Sequence, residues 1–173
     1  ALNMISEKWM QISNNNISSV YLLYGIEAYF IEETLKRIKR QLSDQGELEV
    51  ITFDMEESKV DEVMYEADTI PFFSDKKLVI AKNAFFLKAT EKGKEKIAHD
   101  TLSLEEWLKS PSPSAITVFI APYEKLDERK KITKAMKQAA NVIESASLQV
   151  HDLKGWILHE LSTHGKTMSD ESI

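Results

Sequence analysis

The chain has no cysteine among its 173 residues, so a disulfide framework and a thiolate metal site are both excluded. No apolar run reaches the roughly 20 residues that a membrane-spanning helix needs, and the first residues lack a secretory hydrophobic core. We therefore expect a cytoplasmic protein with no membrane contact.

An excess of positive charge is also absent. The formal net charge is −6, which argues against a protein that coats nucleic acid non-specifically. A hydrophobic fraction of 43% and a charged fraction of 29% are typical of a globular protein. The length suits one ordinary domain, or one domain plus a fragment of another.

Short apolar runs alternate with amphipathic helical patterns along most of the chain. Strands are predicted at residues 20–24, 48–53, 77–82, 115–120 and 142–143. This alternation predicts an α/β domain with a five-stranded parallel sheet that helices cover on both faces. The fourth strand is apolar nearly throughout and is expected to be central.

The pattern changes to helix alone from Leu153 onward, so we expect a second, helical unit to begin near residue 147. Ser169 to Ile173 resembles the first turn of a helix that does not continue. The chain is therefore expected to be a fragment, with an α/β domain over residues 1–146 and the start of a helical unit over 147–173.

The connection into the third strand carries two adjacent phenylalanines. Pro71 cannot continue the preceding helix and biases Ile70 toward an extended conformation, so Phe72 and Phe73 are presented on a turn. Such a pair is either folded back into the core or offered to a partner. Because apolar side chains are mostly inside, the local sequence alone favours burial.

The helix before this turn is predicted to begin after a Ser58 cap. Its apolar residues recur at helical spacing and form a stripe that is expected to face inward. The stripe consists of Val60, Val63, Met64 and Ala67.

The first strand is followed by Gly25, Ile26, Glu27 and a helix, which is where a parallel α/β nucleotide enzyme holds phosphate. A working phosphate loop needs several glycines, a lysine for the outer phosphates and a hydroxyl for magnesium. Only one glycine is present, and Glu27, Glu32 and Glu33 would repel an anion. We expect a nucleotide fold without nucleotide chemistry, and no cofactor.

Other catalytic and metal-binding patterns are equally sparse. His151, His159 and His164 cluster late without a supporting carboxylate at ligand spacing, so a fold-supporting role is the simpler interpretation. Asp54 and Glu56 could suggest magnesium, but an acidic strand end before a helix explains them equally well. No nucleophile-elbow pattern is present, so the sequence does not support an enzyme.

A basic face is predicted on the helix after the fourth strand. Lys130, Lys134 and Lys137 fall on one side of it, opposite Ile132 and Met136. These lysines are candidates for contact with DNA phosphates, and a solvated face is the simpler alternative.

Several motifs, taken in order along almost the whole chain, resemble the delta subunit of the bacterial DNA polymerase III clamp loader. They are residues 22–27 with the helix 30–39, residues 67–74 running into 77–80, residues 121–122 with 126–131, and residues 153–157. Each motif is weak alone, and their order and spacing make the match specific.

The resemblance implies a RecA-like AAA+ domain with a degenerate phosphate loop, followed by the start of a helical lid, with the collar domain absent from the chain. The delta subunit does not hydrolyse ATP, so the chain is expected not to be an enzyme on its own. In that family an apolar tip enters a pocket on the beta sliding clamp. Its positions map to Ile70, Phe72 and Phe73, next to Pro71, and Phe72 departs from the leucine that is common there.

The resemblance also implies partners: the beta sliding clamp, the other clamp-loader subunits through the collar and AAA+ faces, and primed DNA indirectly. The helix that carries Val60, Val63, Met64 and Ala67 is expected to bear on the clamp's subunit junction and favour ring opening. A divergent phosphate-loop nucleotide-binding enzyme and a DNA-binding module that uses the basic helix remain the alternatives.

Overall fold

The computed structural model describes residues 2–90 and 97–145, and the side chains within those ranges from residue 7 onward. The strands are β1 Val20–Tyr24, β2 Leu48–Asp54, β3 Lys76–Lys82, β4 Ile116–Ala121 and β5 Asn141–Glu144. The helices are α1 Leu2–Ser13, α2 Ala28–Ser43, α3 Val60–Asp68, α4 Thr101–Lys109 and α5 Lys131–Ala139, with a 3-10 turn at Phe85–Leu87. The helical unit predicted at 147–173 and the three late histidines lie outside the described residues.

The five strands form one parallel sheet in the order β2-β3-β4-β1-β5. The prediction of a five-stranded parallel sheet is therefore confirmed. β4 occupies the centre, where both of its faces are covered, and this explains its nearly continuous apolar sequence.

Helices cover both faces of the sheet. α1 and α2 pack on one face, where Trp9 is buried and its indole N–H donates to the hydroxyl of Thr34 at 2.8 Å. α3, α4 and α5 pack on the other face. Coverage is incomplete only along the edge strand β2, where Val50 is exposed. The result is a three-layer α/β/α arrangement.

The start of α3 differs from the prediction, because Lys59 rather than Ser58 precedes its first turn and no side chain of the helix caps it. The amide of Ser58 donates to the carbonyl of Asp54 at 2.8 Å, which places Ser58 in the preceding turn. The N–H of Val60 instead donates to Nδ1 of His99 at 3.0 Å. A residue 39 positions later therefore satisfies an amide that the helix leaves unpaired.

The connections between strands and helices fall into two groups, according to the edge of the parallel sheet at which they lie. Segments that precede strands meet at its amino edge, and segments that follow strands meet at its carboxyl edge. The connection Thr69–Asp75 precedes β3 and lies at the amino edge, whereas Gly25–Glu27 follows β1 and lies at the carboxyl edge. α3 runs between the two edges and delivers the chain to the amino edge.

Candidate functional site

The connection between α3 and β3 presents its apolar residues to solvent. Ile70 is 72% exposed, Phe72 90% and Phe73 93%, and the rings of the two phenylalanines lie 5.8 Å apart. We refer to Ile70–Phe73 as the tip. The expectation from local sequence that this pair is buried is therefore wrong. The two phenylalanines are the most exposed large apolar side chains among the described residues.

An exposed tip of this kind has an energetic cost. Burying a phenylalanine side chain stabilises a protein by about 1.5–3 kcal/mol, and this stabilisation is not gained by Phe72 and Phe73. A contiguous exposed apolar patch is typical of an interaction surface. The tip is therefore the strongest candidate for a binding site in the described part of the chain.

The end of α3 fixes where the tip begins. Thr69 follows the last helical residue and is extended, with φ −85° and ψ 122°. Its hydroxyl donates to the carbonyl of Tyr65 at 2.8 Å, and its N–H donates to the carbonyl of Glu66 at 3.2 Å. Pro71 two residues later prevents the helix from continuing, because it lacks an N–H and restricts the residue before it.

The buried ammonium of Lys77 contacts the same end of α3. The ammonium of Lys77 donates to the carbonyls of Thr69 and Glu66 at 2.7 and 3.1 Å, and lies 3.3 Å from Oε1 of Glu66. No sequence pattern indicates this role, because Lys77 is predicted only as the first residue of a strand.

The other end of the connection is tied to the turn before β2. The carboxylate of Asp75 accepts the N–H of Glu47 at 2.9 Å, and the N–H of Asp75 donates to the carbonyl of Glu47 at 2.9 Å. Gly46 beside it has φ +147°, and a Cβ there would lie 2.6 Å from Oδ2 of Asp75. The tip is therefore a short exposed segment with both ends anchored.

The inward stripe of α3 is confirmed as a stripe, and its expected contact with a clamp junction stays a prediction that its burial does not favour. Val60, Val63 and Ala67 are fully buried against the sheet and α4, and Met64 is partly buried. Side chains committed to the core cannot contact a partner. The outward face of α3 consists of Asp61, Glu62, Tyr65 and Asp68.

The loop after β1 is occupied by its own backbone interactions. Gly25 has φ +121°, and its N–H donates to the carbonyl of Ala121 at the end of β4, at 3.2 Å. That amide is therefore not directed toward a ligand. Ile26 is exposed, and Glu27 precedes α2 without capping it through its side chain.

Carboxylates lie near Tyr24 and Tyr123 at the carboxyl edge, together with the ammonium groups of Lys137 and Lys88 over the two rings. Burial, with Glu144 beside it, raises the pKa of Tyr24 to about 12, and burial, with Glu56 and Asp54 nearby, raises the pKa of Tyr123 to about 12. Within the described residues, no group of three side chains is arranged to hold a metal ion.

The predicted basic face is not assembled as one surface. Lys130 precedes α5, and its ammonium donates to the carbonyl of Phe86 at 3.1 Å. Lys137 pairs with Glu128 and lies over the ring of Tyr24. Lys134 is exposed. Contact with DNA through these lysines stays a prediction, which this geometry does not favour.

None of the helices in the described ranges has the length and apolar character required to cross a bilayer.

Comparison with known proteins identifies the family. Residues 21–146 match the family model described as DNA polymerase III, delta subunit. The DNA polymerase III subunit delta of Bacillus subtilis (strain 168) is 39% identical over 171 residues, which are 98% of this chain and 49% of that relative. The solved structure of the Bacillus subtilis DNA clamp loader delta protein matches with a TM-score of 0.80 and 35% identity, over 96% of this chain and 50% of that one.

The chain therefore spans about half the length of the relatives that it matches. The family model covers most of the described sheet and its helices. The chain belongs to the DNA polymerase III delta subunit family.

Proposed function

We propose that this chain binds the beta sliding clamp through the tip and helps to open the ring, so that the clamp can be loaded on primed DNA during replication. The observation that carries this proposal is the exposure of Phe72 and Phe73, at 90% and 93%, on a connection whose two ends are anchored. Family membership supports the choice of partner.

Two adjacent aromatic rings are suited to enter an apolar pocket. Aromatic anchors dominate the energy of protein interfaces, and truncating one costs on the order of 2–4 kcal/mol. Anchored ends add to the affinity, because a segment that already holds its bound conformation loses less entropy on binding.

Binding alone does not open a ring. A partner shifts an equilibrium only by the difference between its affinities for the two states, so the chain must fit the open clamp better than the closed one. The surface next to the tip that can supply this difference is the outward face of α3. Asp61, Tyr65 and Asp68 lie on it, so the complementary surface of the clamp is expected to carry basic and apolar groups.

The chain is proposed to be a non-catalytic subunit. The single glycine in the loop after β1 and the amide of Gly25 already bonded to Ala121 support the absence of nucleotide chemistry. ATP hydrolysed in other clamp-loader subunits would control when the tip is available. The AAA+ faces of this domain and the collar beyond it would provide the contacts with those subunits.

The test is recovery of the sliding clamp by the full chain and by the Phe72→Ala/Phe73→Ala variant. We expect the clamp affinity of the variant to fall at least about 30-fold, with little change in thermal stability because both rings are exposed. Leu102→Ala removes a 72% exposed leucine from α4 and serves as the control. Equal recovery of the clamp by wild type and the double variant would refute the proposal.

A further inference from the structure

Lys77 is the buried charge nearest to the tip. It is 3% exposed in β3 and shares the α3-facing side of the sheet with Val79 and Ala81. Lysine is almost never fully buried unless it is paired, since its ammonium must be desolvated. A buried lysine therefore needs hydrogen-bond or ionic partners inside the protein.

The ammonium of Lys77 has three hydrogen-bond acceptors around it. Its three N–H donors match three acceptors: the carbonyl of Thr69 at 2.7 Å, the carbonyl of Glu66 at 3.1 Å and the carboxylate of Glu66 at 3.3 Å. Both carbonyls belong to the end of α3, where the last carbonyls lack the i+4 N–H of a continuing helix, and that of Glu66 also accepts the N–H of Thr69. A cation there is also favoured by the helix dipole.

The position of these acceptors links Lys77 to the tip. Thr69 is the residue directly before Ile70, so its carbonyl orientation sets the direction in which the tip leaves the helix. Asp68 is held independently, because its carboxylate accepts the indole N–H of Trp107 at 3.0 Å. An apolar residue in place of Lys77 would fill the same space, but the carbonyl of Thr69 would lose the ammonium and that of Glu66 would keep only the N–H of Thr69.

We propose that Lys77 is a positioning residue, whose buried ammonium locks the end of α3 and thereby holds the tip in the conformation that binds the clamp. This inference rests on the proposed function. Lys77 does not contact the partner. It acts through Thr69, by reducing the number of conformations that the tip samples before binding.

The test compares Lys77→Met with Lys82→Met in the full chain, with affinity for the sliding clamp as the first measurement. Methionine keeps the length of the side chain and removes the three donors. Lys82 is the exposed last residue of the same strand, so its variant is the matched control. We expect Lys77→Met to bind the clamp about tenfold more weakly and Lys82→Met to bind like wild type.

Amide hydrogen exchange provides the second measurement, which a general loss of stability would not reproduce. Lys77→Met should speed exchange at Thr69 and at residues 72–75, while the amides of Leu78 to Ala81 in the centre of the sheet keep their protection. If Lys77→Met does not fold, Lys77→Gln is measured in the same way, since its amide retains two donors.

The outcomes separate the two proposals. Wild-type affinity of Lys77→Met, or exchange that rises equally in the tip and the sheet, overturns the role of Lys77. Wild-type affinity of Phe72→Ala/Phe73→Ala overturns clamp binding by the tip instead. The exchange measurement still decides in that case whether Lys77 orders the tip.

Discussion

The two edges of the sheet differ in how their connections use apolar and polar groups. At the amino edge, the tip exposes Phe72 and Phe73 and is anchored at both ends by polar contacts. At the carboxyl edge, the loop at Gly25 is bonded to β4, and carboxylates lie around it. The first connection is the one that we propose to meet another protein, and the amide of Gly25 in the second is already bonded within the sheet.

The proposed site does not lie where this type of fold usually binds its ligands. Open parallel α/β sheets bind ligands at the carboxyl ends of their strands. Here the best-formed candidate site lies at the opposite edge, built on a connection that precedes a strand. Function follows from the site and not from the architecture, and the fold alone would direct attention to the carboxyl edge.

The helix that leads to the tip, α3, starts at the carboxyl edge. Removing the contacts of His99 at this start should have the largest effect on stability. His99 accepts the N–H of Val60 and its Nε2 contacts the carbonyl of Met55 at 2.8 Å. His99→Ala leaves both groups unpaired and removes a ring packed on Phe85, so we expect a loss of about 2–3 kcal/mol in the free energy of unfolding. Denaturant titration measures this loss, and a change below about 0.5 kcal/mol would contradict it.

A smaller effect is expected at the carboxyl-edge loop. Gly25 has φ +121°, a conformation that is strained for any residue with a Cβ. Gly25→Ala should lower the free energy of unfolding by about 1–2 kcal/mol and leave clamp affinity unchanged. The neighbouring variant Ile26→Ala should alter stability by less than about 0.5 kcal/mol. Loss of clamp binding by a folded Gly25→Ala would show that this edge takes part.

The smallest effect concerns the acidic end of β2. The N–H of Glu56 and the side-chain amide of Asn83 donate to Asp54 and hold the pKa of its carboxyl below the ordinary value. Because the pKa is lower in the folded state, ionised Asp54 stabilises the protein above the unfolded pKa of about 4. This stabilisation is lost as the pH falls through the folded pKa.

Asn83→Ala removes one of the two donors to Asp54. We expect the pKa of Asp54 to rise toward its ordinary value and the stability at neutral pH to fall by less than about 1 kcal/mol, since the carboxylate is well solvated. An NMR titration of the carboxyl carbon measures the pKa directly. An unchanged titration midpoint would contradict this assignment of the cause.

The sheet was predictable because its signals are local. Strands such as Val20–Tyr24 are short apolar runs between clear turn and helix signals, and the alternation with helices leaves few topologies. The inward stripe of α3 followed from helical periodicity in the same way. Contact of this stripe with a clamp junction stays a prediction, which the burial of Val60, Val63 and Ala67 does not favour.

The remaining features depend on contacts between distant residues. Local composition favours burial of Phe72 and Phe73, whereas both are exposed on a connection whose ends are held by contacts with Lys77 and Glu47. His99 meets Val60 across 39 positions, which no cap pattern near Ser58 could reveal. The burial of Lys77 was equally hidden, since lysine in a sequence is expected at the surface.

The central claim is tested most directly by calorimetric titration of the sliding clamp with two double variants of the full chain. Phe72→Ala/Phe73→Ala truncates the amino-edge tip, and Ile26→Ala/Tyr29→Ala truncates two exposed apolar residues at the carboxyl edge. We expect at least about a 30-fold loss of affinity for the first variant and wild-type affinity for the second. The reverse result, or equal affinities for both, would contradict the assignment of clamp binding to the amino edge.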